Sequence, residues 1–197
     1  MIQRKLTPRG RERRNQVMLR AAELFAEKGY HPTSVSDIVT SLGVGKGVFY
    51  WYFENKEELF AEILRAAHTD LRRRQRVAIG DEPDPLRRIE AGIRETMRWF
   101  HEHRDSFSLL LFAATDERFA PVLRRNQEVA IDDTVRHLKD AIVAGQIPDQ
   151  DPQTLARAVI GVLEKLAHSC LIERDEPLDT TSDAAVAFCL HGLSGPR

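Results

Sequence analysis

The sequence predicts an all-α protein, and three observations carry that prediction. Apolar residues recur at i, i+3, i+4 and i+7 through most of the 197 residues. Stop and start signals punctuate the pattern: Gly29, Gly43 and Gly145 sit where apolar stripes end, and Asp84-Pro85 and Asp151-Pro152 supply a cap and a first-turn proline where stripes begin. Alternation of the β type does not occur over any useful length. Hydrophobic residues make up 42% of the chain, enough for real cores in one large domain or two small ones.

The formal net charge of -1 conceals an asymmetry. Residues 1–76 hold 15 Lys and Arg against 9 Asp and Glu, whereas residues 77–197 hold 14 against 21. A basic front joined to an acidic remainder points to a polyanion as partner of the front alone. Two cysteines, Cys170 and Cys189, are too few and too late to frame a disulfide scaffold, which points to a reducing setting. No apolar run reaches the roughly 18–20 residues that cross a bilayer, and no apolar stretch follows the basic N-terminus as a secretory signal requires. The expectation is a cytoplasmic protein with no membrane partner.

Along the chain, a basic arm from Gln3 to Arg14 carries Arg4, Lys5, Arg9, Arg11, Arg13 and Arg14. It reads either as a solvated helix start or as an arm near phosphates. A helix follows over 8–28, with Val17, Ala21, Leu24 and Phe25 on one face. Ser34 and Asp37 then have capping-box spacing ahead of Val35, Ile38, Val39 and Leu42, an apolar face two turns long. Gly43 supplies the positive φ of a sharp reversal, and Val44 plugs the corner. In the short helix that begins near Gly45, Phe49 and Phe53 lie one turn apart and face inward, which leaves Lys46, Val48, Tyr50 and Trp51 nearer the outside. Two short helices joined by a tight turn make a helix-turn-helix, and in a basic segment that motif predicts double-stranded DNA as partner.

Asn55 and Glu58 open the next helix as a second capping box, with Lys56 in the first turn. A cation there opposes the helix dipole. A phosphate held by Lys56 and the free backbone N–H groups makes that misfit useful; tolerated surface charge is the plainer alternative. The helix ends near Arg72, Arg73, Arg74 and Arg76, read as helix-end charge. Residues 80–85 form a linker by composition. The expected division is 1–54 for the helix-turn-helix domain, 55–80 for a connecting helix and 81–197 for a helical body. Within the body, helices are expected to about His101, through a very apolar buried stretch over 107–114, and over 121–144, 152–173 and 179–192.

Four stretches in register resemble the TetR/AcrR family of transcriptional regulators: AELFAEKGY at 22–30, TSVSDI at 33–38, GVGKGVFYWYF at 43–53 and NKEEL at 55–59. The resemblance covers about the first 60 residues. It implies a DNA-binding head whose second motif helix enters the major groove with Lys46, Gly47, Val48 and Tyr50 nearest the bases. Thr33 or Ser34, Tyr50 and Lys56 match the family's phosphate contacts, and Trp51 completes the expected surface. Val48 has no hydrogen-bonding group and suits a thymine methyl; Lys46 suits a guanine edge or a phosphate. Gly45 departs from the family pattern, standing where many relatives carry Ser or Thr. The resemblance further implies a homodimer acting as a repressor, released from a palindromic operator by a small-molecule effector. No cofactor is called for.

The last two helices are the dimer interface that the resemblance implies. Val159, Leu163, Leu166 and Cys170 share one face, and Ala184 and Phe188 belong to a last helix apolar over much of its circumference. Helices apolar over so wide an arc need partners on two sides; a monomeric core pair is the alternative. On the long helix, Gln127 and Thr134 fall on the apolar face, and with Trp99, Phe107 and Leu111 they are expected to line a cavity for a small, largely apolar ligand. Bonds to a neighbouring helix or to solvent are the alternative. His101 and His103 flank Glu102, but imidazoles at i and i+2 point to different sides of a helix, which argues against a metal. His168 is expected to pair with Glu164 at i+4 spacing. Without a phosphate-binding glycine loop, a nucleophile elbow or paired acids, no enzyme is expected. The competing reading is a helical enzyme or small-molecule carrier with an incidental basic N-terminus; a weaker third is a structural DNA binder without a ligand.

Overall fold

Polar caps and prolines set the helix starts much as the sequence implies. A computed structural model describes residues 6–194, so Arg4 and Lys5 of the basic arm lie outside the described residues. Among those described the chain is all-α, without a strand. Helix α1 is Pro8–Lys28, α2 Val35–Ser41, α3 Lys46–Tyr52, α4 Lys56–Ile79, α5 Pro85–Glu102, α6 Arg104–Ala114, α7 Ala120–Val143, α8 Pro152–Leu166 and α9 Leu178–Ser194. Asp84 accepts from the amides of Leu86 and Arg87 at the head of α5, and Asp151 accepts from Gln153 and Thr154 at the head of α8.

One helix departs from expectation. The stretch read as continuous over 152–173 leaves the α geometry after Leu166, and Ala167–Ile172 is wound as a π-helix with i→i+5 bonds. The wider winding brings Glu173 Oε1 to 3.7 Å from His168 Nε2, so the histidine's acidic neighbour is Glu173 and not Glu164. Apolar periodicity does not register a single inserted residue.

The helices gather into two compact units: Met1–Ala67 with Asp105–Leu123, and His68–Arg104 with Arg124–Arg197. These boundaries fall inside α4, α6 and α7 rather than at 54/55 and 80/81. In the first unit, Val17, Ala21, Leu24 and Phe25 of α1 pack with Ile38, Phe49, Phe53, Leu59, Phe60 and, from the 105–123 segment, Leu109, Ala113 and Phe119. Phe60 is the hub of this core, its ring centroid lying 5.5 Å from Phe25, 4.9 Å from Tyr30, 5.8 Å from Phe112 and 4.5 Å from Phe119. Along α6, Phe107, Leu109 and Ala113 are buried while Ser108 and Ala114 are exposed, so the helix is covered on one side and not all round.

In the second unit α5 packs along α9, the π segment and α8. The end of α4 joins α5 through polar groups: Arg74 Nε donates to Glu95 Oε1 at 2.7 Å, Gln75 Nε2 to Thr96 Oγ1 at 2.8 Å, and Trp99 Nε1 to Asp70 Oδ2 at 2.9 Å. Arg72 pairs with Asp133 of α7, Arg73 with Asp70 and Arg74 also with Glu102. Three of the arginines read as helix-end charge are therefore ion-pair partners, and the helix itself continues to Ile79. His103, expected on an ordinary surface end, stacks on Trp99 at 4.7 Å between ring centroids.

His68, on α4, has a buried Nε2 with no hydrogen-bond partner. Burial first, and the nearby Arg72 second, push its pKa down to about 4. An unfolded histidine titrates near 6.5. Between those values the unfolded chain binds more protons than the folded one, so stability falls as pH drops from about 6.5 towards 4. Urea midpoints measured from pH 7 to pH 4.5 are expected to fall for the wild-type protein and to fall less for His68→Asn; His137, lowered by burial in the same direction, contributes to the slope that remains.

Candidate nucleic-acid interface

The reversal between α2 and α3 is fixed by the backbone. Gly43, at φ +66°, donates to Thr40 O at 3.0 Å, and Val44 N–H donates to Val39 O at 3.0 Å. Those two bonds make a Schellman motif, and the partly buried Val44 packs on the first unit's core. At the other end of α2 the capping box is complete: Asp37 N–H donates to Ser34 Oγ at 3.1 Å and Ser34 N–H to Asp37 Oδ2 at 2.8 Å. The same Ser34 bonds hold the Asp37 carboxyl below the usual carboxylate range. Arg20 Nε on α1 reaches Ser41 Oγ at 3.0 Å, a brace the sequence pattern did not reveal.

Helix α3 is oriented by its aromatic residues. Phe49 and Phe53 are buried at 0% and 2% exposure, with centroids 5.6 Å apart. Lys46 and Gly47 at the helix start are exposed, Val48 is half-buried, and Tyr50 and Trp51 are exposed at 57% and 63%. Gly45 is the N-cap, extended at φ -80° and without a side-chain cap bond. A Cβ at Gly45 or Gly47 would meet nothing within 4 Å, so both present open backbone.

Thr33 and Lys56 have different surroundings from those expected of phosphate contacts. Thr33 is 1% exposed and its hydroxyl donates to Gly29 O at 2.8 Å. The Lys56 ammonium donates to Tyr30 O and Thr33 O at 2.9 Å each and to His31 O at 3.4 Å, and lies 4.3 Å from the centre of the Tyr30 ring. Ser34, by contrast, is exposed. In the second capping box Glu58 N–H donates to Asn55 Oδ1, but the Glu58 carboxylate accepts from Glu54 N–H, one residue earlier than the reciprocal pattern requires. Of the basic arm, Arg14 pairs with Glu62 at 2.8 Å and lies over the Phe53 ring at 4.9 Å, Arg11 donates to Leu6 O at 2.8 Å, and Arg9 is exposed.

Sequence reasoning also missed a clasp beside Lys56. Tyr30 Oη donates to Glu57 Oε1 at 3.0 Å, and Arg118 pairs with Glu57 at 3.3 Å and with Asp116 at 2.6 Å while covering the Tyr30 ring at 5.2 Å. Burial, and then Glu57, raise the Tyr30 hydroxyl well above its ordinary pKa, and Arg118 lowers Asp116 to about 2.

The remaining predicted positions divide. Trp99 is 1% exposed in the second unit; Phe107 is buried and Leu111 half-buried in the first. Gln127 is exposed, and Thr134 Oγ1 donates to Ala130 O of its own helix at 2.9 Å, so the two do not form an inward-facing polar pair. The phase of the stripe was right, but burial along α7 begins only at Ile131. Val159, Leu163 and Cys170 are buried within the single chain and Leu166 half-buried, whereas Ala184 and Phe188 are exposed, Phe188 at 66%. The apolar face of α8 thus serves the unit's own core, and of the predicted interface residues the exposed ones, Ala184 and Phe188, lie on α9.

Comparison with known proteins bears on the whole chain. The family model for bacterial regulatory proteins of the tetR family matches residues 18–63, and the tetracyclin repressor-like C-terminal domain matches residues 85–192, more than half the chain. The chain belongs to the tetR family. Among relatives, the transcriptional activator FasR of Mycolicibacterium smegmatis is 28% identical, over 93% of this chain and 84% of its own length. The transcriptional repressor DhaR of Mycobacterium sp. strain GP1 is 29% identical, over 84% and 86%. A TetR/AcrR-family regulator from Thermobifida fusca YX-ER1 shares the fold at a TM-score of 0.75 and 24% identity, covering 92% of this chain and 98% of that one. The ketosteroid regulator KstR2 of Mycobacterium tuberculosis does so at 0.71 and 23%, covering 93% and 96%. This tetR-family chain is accordingly a DNA-binding transcriptional regulator, and a helical enzyme or carrier with an incidental basic N-terminus is not favoured. No described helix is long and apolar enough to cross a membrane.

The two glycines of this tetR-family motif should respond oppositely to substitution. Gly43→Ala puts a side chain at positive φ and is expected to lower stability by about 1–2 kcal/mol. Gly45→Ser adds a cap oxygen in open space and is expected to raise it by a few tenths of a kcal/mol. Denaturant titration of the two variants measures both.

Proposed function

We propose that the protein binds a palindromic operator as a homodimer, represses from it, and leaves it when a small, largely apolar effector occupies the helical body. The observation that carries the reading is the exposed surface of α3, where Lys46, Gly47, Tyr50 and Trp51 are open and Val48 half-open on a helix pinned by buried Phe49 and Phe53. Base edges set sequence and phosphates set register. Val48 is assigned to a thymine methyl, Lys46 to a guanine edge or phosphate, and Ser34 and Tyr50 to the backbone. The open backbone at Gly45 and Gly47 admits close approach of the duplex.

In functional terms residues 1–54 read DNA, 55–80 connect, and 81–197 bind the effector and a second copy. The second copy is assigned to the exposed positions Ala184 and Phe188 of α9 together with the exposed positions Ala158 and Gly161 of α8. The relatives include both an activator, FasR, and a repressor, DhaR; this protein represses, and it acts by binding rather than catalysis, in the cytoplasm. Recognition helices about 34–36 Å apart meet successive major grooves of one operator.

Selection of bound duplexes from a random pool is expected to return a palindrome. Val48→Ala should relax the preference for thymine at one symmetric pair of positions without changing the salt dependence of binding, and Lys46→Ala should weaken binding. A selected pool without two-fold symmetry contradicts the dimeric reading.

A further inference from the structure

We propose that the helical body reads a hydroxyl group: an uncharged ligand accepts there from Arg88 Nε–H and donates to Gln146 Oε1, and this ligand is the effector. The proposal rests on the effector reading above and adds one polar group to a largely apolar molecule. Among the described residues, four buried side-chain atoms have no hydrogen-bond partner: His68 Nε2, Arg88 Nε, His137 Nδ1 and Gln146 Oε1. All four belong to the second unit, and the last three gather at one place in it. Buried polar atoms are nearly always paired, so three orphans at one place call for a partner that the chain itself does not supply.

That place lies where the start of α5 meets the end of α7. Gln146 Nε2 donates to Asp84 Oδ1 at 3.0 Å, and Asp84 is the cap of α5. Arg88 stands one turn further on, its amide donating to Asp84 O at 3.0 Å and its Nη1 pairing with Asp140 Oδ2 at 3.0 Å. His137 is one turn before Asp140 on α7, and the charge of Arg88 is, after burial, a cause of its lowered pKa. Two polar bridges thus tie the helix ends together, and the unpaired atoms belong to those bridges or lie one turn from them. Asp140 is exposed, which puts its bridge with Arg88 at the solvent edge of the site. Pro85, Ile89, Leu138, Ala141 and Ile147, close by in the chain, are buried and apolar, which suits the rest of a largely apolar molecule.

The unpaired atoms set the chemical class. The Gln146 amide cannot be turned over, because its nitrogen serves a carboxylate that only accepts; its unpaired oxygen therefore wants a donor. Arg88 Nε–H can only donate and wants an acceptor. An ionised carboxylate brings no donor and would face Asp84, whose own carboxyl the Gln146 bond holds below the usual range. An ammonium brings no acceptor, and a ketone or ether brings no donor. A hydroxyl brings both on one atom. His137, uncharged at neutral pH, joins as donor or acceptor according to its tautomer. Water also brings both, and is the occupant to be excluded.

Octanol, octyl methyl ether and octanoate, with the matching hexyl set, separate these groups, because the ether keeps the acceptor and loses the donor. Each is titrated into the full chain at neutral pH, with the Arg88 Nε–H followed in 15N-labelled protein and assigned by Arg88→Lys. The alcohol is expected to move that signal and to bind about tenfold tighter than the ether or the carboxylate. Gln146→Met, shown folded by circular dichroism, should abolish the preference for alcohol over ether, whereas a loosened body would weaken all three and keep the preference. Arg88→Lys, which keeps the charge beside Asp140, should weaken alcohol and ether alike. Equal affinity for alcohol and ether, or a preference that survives Gln146→Met, overturns the proposal. So does an Arg88 signal that no compound of either set moves, which leaves water as the occupant. Operator binding with and without the alcohol separates the two readings. An alcohol that occupies the site without weakening operator binding contradicts the effector reading and leaves the hydroxyl site standing; one that releases the operator equally from wild type and both variants contradicts the site and leaves the effector reading standing.

Discussion

The burial of Phe49 and Phe53 beneath α3 is the interaction on which the DNA-reading surface depends. A helix of seven residues has almost no stability of its own in water, because nucleation outweighs the few bonds it makes. Its existence and its rotation are both set by what it packs against. Two phenylalanines one turn apart, both almost fully buried, fix the rotation, and every outward position follows from that. The Schellman turn at Gly43 and Val44 then fixes the angle at which α3 leaves α2.

Around that pin the rest of the first unit is one aromatic packing problem. Phe60 touches Phe25, Tyr30, Phe112 and Phe119, so a segment far along the chain, 105–123, shares the core of the N-terminal helices. The charged groups nearby work on the same core: Lys56 and Arg118 both sit over the Tyr30 ring, and Glu57 holds its hydroxyl. The turn before α2 is therefore fixed by side chains from α4 and from the 105–123 segment, and not by its own sequence alone.

Much of this was legible in the sequence where a local rule has a local cause. The caps at Ser34, Asp84 and Asp151, the positive φ at Gly43 and the inward pair Phe49 and Phe53 each follow from spacing within one or two turns. What was not legible depends on partners distant in the chain. Lys56 read as a misfit because the carbonyls that receive it lie some 25 residues earlier. Arg72 and Arg74 read as helix-end charge because Asp133 and Glu95 come from other helices. Gln127 and Val159 show the limit of the helical wheel: it gives the phase of a stripe but not where along it the covering begins, nor whether the cover is the same chain or a second one.

The chain has two tryptophans, Trp51 on the outward face of α3 and Trp99 buried in the second unit, which allows the central claim to be read directly. Protein labelled with 5-fluorotryptophan gives two 19F signals, assigned by Trp51→Phe. On saturation with a selected operator duplex, the Trp51 signal is expected to move and to lose its sensitivity to exchange of H2O for D2O. A Trp51 signal that keeps both its position and its solvent sensitivity while the duplex is bound would show that this face of α3 is not the one that meets DNA.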